Sequence, residues 1–382
     1  MPTGIATAYD LTVGVKVNMD EAIYMYSPVD SPLILGTDAD GYALIGSSPT
    51  NEIRFDWMDD VILTPRSAIA VTLVTAATEV VVTAGTQSRF STGDLLVATR
   101  EGGHDETMRV TGYSVTTADT LLLTRNWTTT GTARQYSQFE EIIGTGQALT
   151  EGSDPEAFRS TDRTERQNFT QIFGPTKIHM SETERTVAKY GVASEWDRQV
   201  ARTIKENLIH REQAFVYGRK RNDTSNKRRA TGGFFDWITT NVDAAATQLN
   251  VLNLVSNLTN CFNAGGVPEV LMANPNALKD LNDVENTSRV RVAPEASRRG
   301  RESVMVVSTE YGDLIVARNR WMNDDDAICF TREGVQRRVL RPVTYEPLAK
   351  TGDAEVAQIV GEEGLQVKGE RHMFAMTALD YD

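Results

Sequence analysis

Cysteine and histidine are scarce in this sequence, and their scarcity removes several chemistries at the outset. The two cysteines, Cys261 and Cys329, lie far apart. A pair like this makes no disulfide framework and suits a reducing compartment. The four histidines, His104, His179, His210 and His372, are scattered, so no metal site and no cofactor is expected. No apolar run approaches the ~18 residues that a membrane span needs, so no membrane partner is expected. Residues 1–10 lack the basic stretch and apolar core of a secretory signal. There is no Gly-x-x-x-x-Gly-Lys-Ser/Thr loop, no Gly-x-Gly-x-x-Gly turn, no His-Glu-x-x-His, no Cys-x-x-Cys and no Gly-x-Ser-x-Gly elbow. Asp38-Ala39-Asp40-Gly41 and Asp324-Asp325-Asp326 resemble calcium loops only in part. They lack the further oxygens and the distal glutamate, and read as a turn and a solvated acidic loop. Positive charge is short as well: 39 Lys and Arg stand against 52 Asp and Glu, a net charge of −13. That balance disfavours wrapping nucleic acid over the whole surface and keeps a concentrated protein soluble.

The 382 residues, 40% of them hydrophobic, suffice for two or three domains with a sizeable core. Residues 1–28 read as an extended arm that needs a partner to order it, and residues 28–49 carry turn composition. In Ile53-Arg54-Phe55-Asp56-Trp57, apolar and charged residues alternate, which predicts a strand with one covered face. Residues 68–141 change texture. Short β-branched or aliphatic runs at 71–74, 79–83, 94–99, 107–111 and 121–124 are punctuated by Gly85, Gly93, Gly102-Gly103 and Gly112. This spacing predicts a small, inserted all-β barrel or sandwich. Residues 144–155 return to loop composition, and residues 169–180 look extended.

Residues 181–220 carry the strongest helical signal. Ser181 with Glu184 fits a capping box, and Gly191 predicts a break. Beyond it, Ala193, Trp196, Val200, Ile204, Leu208 and Phe215 form an apolar stripe. A helix over residues 193–220 would run about 40 Å, long enough for a structural spine. The stripe places Trp196 in a core and not on a ligand platform. A helix is predicted over 249–262, ended by Gly265-Gly266, with a strand at 268–272 and a helix at 275–281. Strands follow at 304–307, 314–317, 327–330, 356–360 and 373–379. This irregular order predicts an α+β fold, not a doubly wound parallel sheet.

Several stretches, in order from Asp56 to Leu379, resemble one family. They are Phe55-Asp56-Trp57-Met58-Asp59-Asp60 before the insertion, and Phe90-Ser91-Thr92-Gly93-Asp94 and Glu106-Thr107-Met108-Arg109-Val110-Thr111 inside it. After it come Glu151-Gly152, then residues 163–173 ending in Asn168-Phe169-Thr170-Gln171-Ile172-Phe173. Tyr190-Gly191 stands before the long helix. Leu348-Ala349-Lys350-Thr351-Gly352-Asp353 and Gly364-Leu365-Gln366-Val367 lie near the end. Each match is loose, and their shared order makes the signal. Together they resemble the tailed-bacteriophage major capsid proteins that carry a β-rich insertion in the extended loop.

The resemblance implies a Hong Kong 97-like fold and a non-enzymatic protein that self-assembles into an icosahedral shell around double-stranded DNA. On that map, residues 1–50 are the amino-terminal arm and lead-in. Residues 51–67 and 142–173 form the extended loop, and 68–141 the inserted domain. Residues 174–232 and 324–382 form the peripheral domain with its spine helix, and 233–323 the axial domain. The implied partners are copies of the chain in pentamers and hexamers, with scaffolding, portal and decoration proteins and weakly held packaged DNA. The arm is short, so a separate scaffolding protein, or none, is expected. The implied place is the virion, after synthesis in the bacterial host's cytoplasm.

Two basic clusters are candidate contacts with DNA or with a neighbouring subunit: Arg219, Lys220, Arg221, Lys227, Arg228 and Arg229, and Arg298, Arg299 and Arg301. Clustered cations release counterions on phosphate, while the acidic balance leans slightly toward an acidic neighbour. Phe90 and Trp127 are expected as exposed apolar residues of the insertion that bridge subunits. Two rival functions stay open: an enzyme with a site assembled from distant residues, which requires a convergent pocket, and a DNA-associated structural protein without a shell.

Overall fold

The computed structural model describes residues 31–36, 43–60, 64–100, 103–128, 133–148, 151–152, 163–187, 189, 194–244, 248–282, 290–292, 305–350 and 352–379. Two compact units divide the chain: Met1–Asp59 with Glu165–Asp382, and Asp60–Thr164. The second is an insertion, wider at both ends than residues 68–141. Residues 1–30, which hold most of the expected arm, lie outside the described residues, as do Asp38, Asp40, Tyr190, Gly191 and Ala193.

Two sheets organise the larger unit. In the first, β1 (Gly46–Pro49) runs parallel to β19 (Val335–Pro347), which pairs antiparallel with β20 (Ala354–Val367), and β20 pairs with β10 (Gln171–Ser181). A helix of 23 residues, α3 (Glu195–Tyr217), packs on this sheet. It is somewhat shorter than predicted. Ser194 caps it by accepting from the Asp197 N–H at 3.3 Å. The capping box at Ser181 is half realised: Ser181 accepts from the Glu184 N–H at 3.2 Å, but starts only the five-residue α2 (Glu182–Thr186). The Glu184 carboxylate pairs with Lys189.

The stripe on α3 needs correction. Trp196 and Phe215 are buried, but Ile204 is 45% exposed, and Thr203, Asn207, Arg211 and Glu212 are buried with them. The buried face therefore carries polar groups as well: Arg211 reaches Glu363 of β20 and Glu212 meets Leu33, Ile34 and Asn319, so the apolar count alone misplaced it.

The second sheet has seven strands in the order β13-β21-β18-β14-β17-β16-β15. Their ranges are β13 (Val242–Asp243), β14 (Val270–Ala273), β15 (Val290–Val292), β16 (Met305–Thr309), β17 (Gly312–Arg318), β18 (Ala327–Phe330) and β21 (Phe374–Met376). Its helix, α5 (Val251–Asn263), buries Val251, Leu254, Leu258 and Cys261. The expected boundary at 323/324 runs through this sheet. Strands β18 and β21 fall beyond it in sequence but belong to this sheet, β18 as the direct neighbour of β14.

The strands leading to and from the insertion, β2 (Arg54–Asp59) and β9 (Thr164–Phe169), pair with each other. β2 alternates as expected, burying Phe55 and Trp57. Trp57 meets Trp237 of α4 (Phe234–Trp237) with ring centroids 5.0 Å apart. A Cβ at Gly364 would stand 2.8 Å from both the Phe169 carbonyl oxygen and the Phe55 ring. Glycine is what lets β20 approach these strands. Residues 28–49, read as turns, also hold α1 (Pro32–Leu35) and β1.

The inserted unit is one six-stranded sheet in the order β3-β8-β5-β6-β7-β4: β3 (Arg66–Ala68), β4 (Glu79–Val81), β5 (Asp94–Arg100), β6 (Gly103–Tyr113), β7 (Thr120–Thr124) and β8 (Glu141–Gln147). Every ladder in it is antiparallel. Its own core includes Ile69, Leu96, Met108, Leu121 and Tyr136. Two expectations fail: residues 71–74 make only the single bridge Leu73–Tyr136, and residues 144–147, read as loop, continue β8.

Candidate functional site

Strand β20 carries two carboxylates into the interior, Glu362 and Glu363, and successive strand residues face opposite ways. Glu363 takes Arg211 of α3 at 2.6 Å, with Arg337 of β19 at 3.7 Å. On the other face, Glu362 takes Arg229 at 2.7 Å, the Thr170 hydroxyl at 2.8 Å and Arg341 at 3.3 Å. Burial pulls the Arg337 guanidinium below its ordinary range, against the pull of Glu363.

A third buried carboxylate, Glu370, accepts from the Thr240 hydroxyl at 2.6 Å and from the Thr239 and Thr240 N–H groups, and pairs with Arg166 at 3.4 Å. Arg166 also meets Asp59 at 2.9 Å. Buried Asn168 donates to Thr231, Gly232 and Leu365 and accepts from the Gly232 N–H. Together these groups rivet β9, the β11–β12 hairpin (Arg221–Asp223 and Arg228–Ala230) and the spine helix to one strand. Such pairs roughly break even against apolar packing, but removing one partner costs about 3–5 kcal/mol. They therefore fix one arrangement of β9 and the hairpin on the sheet.

The basic cluster is split by this network. Arg219, Lys220, Arg221, Lys227 and Arg228 are exposed on or beside the hairpin, with the Arg219 and Arg221 side chains 71% and 77% exposed. Arg219 donates to the Phe235 carbonyl at 3.0 Å, and the Lys220 ammonium stands 5.0 Å from the Trp237 ring centroid. Arg229 is a correction: its guanidinium is committed inward to Glu362 and is not offered to a partner. Arg298, Arg299 and Arg301 lie outside the described residues.

Phe90 is the second correction. It is 1% exposed, inside the inserted unit's own core, with its carbonyl taking the Tyr113 hydroxyl at 2.6 Å. The small sheet has to fill its interior, and a phenylalanine just before a turn does that. Trp127 is 42% exposed. Its backbone N–H donates to the Thr107 carbonyl at 2.9 Å, beside an ion pair between buried Glu106 and half-buried Arg125. There Glu106 accepts from Arg125 at 2.7 and 2.6 Å and from the Asn126 and Arg134 N–H groups. Burial pushes the Glu106 carboxyl up, but Arg125 and the two N–H groups outweigh it and leave it below the ordinary value.

Sequence reasoning missed Glu106, Glu362, Glu363 and Glu370. The one available signal was Glu362-Glu363 inside the apolar run around Ile359-Val360 and Leu365. Among the described residues no cluster of His, Cys, Asp and Glu could hold a metal. A groove of about 280 Å³ is lined by Leu35, Ile204, Leu208, Val343, Tyr345 and Ile359. Its one charged lining residue is Arg211, already paired with Glu363. Burial pushes up both thiols, Cys261 to about 12 and Cys329 far above its ordinary value, so neither is a poised nucleophile.

Among the described residues these buried groups are spent on one another and on the backbone, holding the chain in shape. The SU10 major capsid protein family matches the sequence over residues 1–380. The chain belongs to that family. It is a major capsid protein of the tailed-phage kind, a structural shell-forming protein and not a member of an enzyme family. No curated protein matches it.

Solved structures agree on the fold. One from Microbacterium phage Oxtober96 is 9% identical, with a TM-score of 0.53, covering 97% of this chain and 98% of its own. One from Mycobacterium phage Bobi is 8% identical, with a TM-score of 0.51 and coverage of 98% and 99%. The capsid of Myoviridae phage XM1 is 10% identical, with a TM-score of 0.50 and coverage of 99% and 100%. At such identity the likeness speaks for the α+β capsid fold alone.

Proposed function

We propose that copies of this capsid protein close into an icosahedral shell of pentamers and hexamers around double-stranded DNA. The observation that carries this reading is the family match across residues 1–380, which spans the arm, loop strands, insertion and spine at once. In this reading the four-stranded sheet with α3 is the peripheral domain, and the seven-stranded sheet with α5 is the axial domain. β2 and β9 are the arms of the extended loop, and the Asp60–Thr164 unit bridges neighbouring copies through Trp127. The exposed cations Arg219, Lys220, Arg221, Lys227 and Arg228 meet acidic surface on a neighbouring copy. Scaffolding, portal and decoration proteins are its further partners, and synthesis takes place in the bacterial host's cytoplasm before the chain enters the virion.

Electron microscopy of the purified protein at high concentration tests the shell. Closed particles or five- and six-fold capsomers are expected, and a strictly monomeric protein sinks the reading. Steeply salt-dependent DNA binding by the free subunit would favour contact of the hairpin cations with DNA instead. Replacing residues 61–163 by a short Gly-Ser linker tests the bridge. The subunit should still fold while its shells lose heat resistance; shells as heat-resistant as the parent's would make the insertion mere decoration.

A further inference from the structure

Glu212 lies on α3, has no solvent exposure, and spends both carboxylate oxygens on a segment far away in sequence. Oε1 accepts from the Leu33 N–H at 2.8 Å and from the Asn319 side-chain amide at 2.9 Å. Oε2 accepts from the Ile34 N–H at 3.1 Å. Leu33 and Ile34 belong to α1, a single turn whose own cap is deficient. Ser31 makes no side-chain capping bond, and its hydroxyl is buried without a hydrogen-bond partner. A helix start leaves N–H groups without intrahelical partners, and Glu212 supplies the missing acceptor from the spine.

Among the described residues, the hydrogen bonds that tie Ser31–Leu35 to other elements all end on Glu212. Two more, from Leu35 to Ser31 and from Gly36 to Pro32, stay inside the turn, and at its end the Gly36 carbonyl accepts from the Leu44 N–H at 3.1 Å. Leu33 and Ile34 add buried side chains to the core beside Phe215 and Val216. The turn is thus a strap seated on α3 by one carboxylate and two side chains, while β20 lies between β10 and β19, with a ladder on each side through its middle and on one side at each end.

We propose that Glu212 is the lock of a releasable strap: it fixes residues 31–36 on α3, and without it that segment lets go while the sheets stay folded. The inference concerns the subunit alone and stands whether or not the shell reading does. Burial pushes the Glu212 carboxyl up to about 7, against the Leu33 and Ile34 N–H groups, Asn319 and Arg211. The lock is therefore held by a group that is costly to keep charged. The charged groups around it are Arg211 and, beyond Arg211, Glu363 with Arg337; α1 itself carries none.

Native-state hydrogen exchange on the full chain tests the proposal, read at peptides covering residues 31–36 and at β20 as the global reference. In Glu212→Ala the strap amides should exchange at least about tenfold faster while β20 keeps its protection. Glu212→Gln retains one acceptor for Leu33 but turns a donor toward the Ile34 N–H, so its strap should fall between the parent and the alanine variant. Unchanged strap exchange in Glu212→Ala overturns the proposal, and so does acceleration in lockstep with β20. Should the variants not fold, the parent protein in rising urea decides. Strap exchange insensitive to urea supports local release, and strap exchange that follows β20 refutes it.

Discussion

Glu106 in the inserted unit and Glu363 on β20 are both carboxylates buried against arginine, yet their remaining partners differ. Among the described residues, the Glu363 carboxylate meets two guanidinium groups, Arg211 and Arg337. Glu106 also takes two backbone N–H groups, and Arg125 donates in turn to the carbonyls of Val74, Ala77 and Arg134. In the spine region the pair joins side chains of three elements already held by ladders and core. In the insertion it holds the chain on either side of Trp127 and has no apolar equivalent. The same chemical pair is therefore expected to be replaceable in one region and obligatory in the other.

The largest effect expected from this contrast is in the insertion. Glu106→Leu with Arg125→Met, an apolar swap of similar volume, should cost the insertion about 4 kcal/mol, because backbone N–H and C=O groups lose their partners. Urea unfolding followed by fluorescence of Trp127, the one tryptophan of that unit, measures it. A neutral swap would end the contrast.

Next comes Trp196→Ala on the spine, expected to cost about 3 kcal/mol as a large core truncation. Ile204→Ala, on the same sequence stripe but half exposed, should cost under ~1 kcal/mol. Equal losses in denaturant melts of the two variants would restore the stripe that the fold overturns.

A pH effect of similar size rests on Glu212. Its folded value, about 7, stands above the ordinary 4.5, so the folded chain holds a proton there that the unfolded chain releases. Its contribution is complete below about pH 4.5 and is lost as pH rises through 7, on the order of 2–3 kcal/mol. Glu212→Gln should remove that slope from a stability profile over pH 5–8; a variant with the parent's slope would assign it to another group. Smallest is the spine counterpart of the first swap. Arg211→Met with Arg337→Met and Glu363→Leu should leave stability within about 1 kcal/mol of the parent, and a collapse of the fold in thermal melts would show that Glu363 is as obligatory as Glu106.

How far the sequence could be read follows the same division. The inserted β-unit was legible because short alternating runs broken by Gly85, Gly93 and Gly112 need only local turns and antiparallel neighbours. β19 was not legible. Val335-Gln336-Arg337-Arg338-Val339-Leu340-Arg341-Pro342 reads as a charged, proline-broken stretch. In the fold its arginines reach Glu362, Glu363 and Gln366, and its register slips between Arg341 and Thr344, around the proline. Phe90 went wrong for the opposite reason: a lone aromatic beside a turn fits a surface patch or a core equally well until the opposing strand is known.

The sequence by itself determined the absence of familiar catalytic motifs, the α+β order of elements, the insertion, the long helix and the ordered matches that point to the capsid family. Those properties reside in local pattern and in the order of segments along the chain. Only the tertiary structure decided which charges are buried. Glu212 holding Leu33, Glu362 holding Arg229 and Glu106 holding Arg125 join positions that no local periodicity connects. A carboxylate can be buried only where the fold delivers donors to it, and where those donors stand depends on the whole chain.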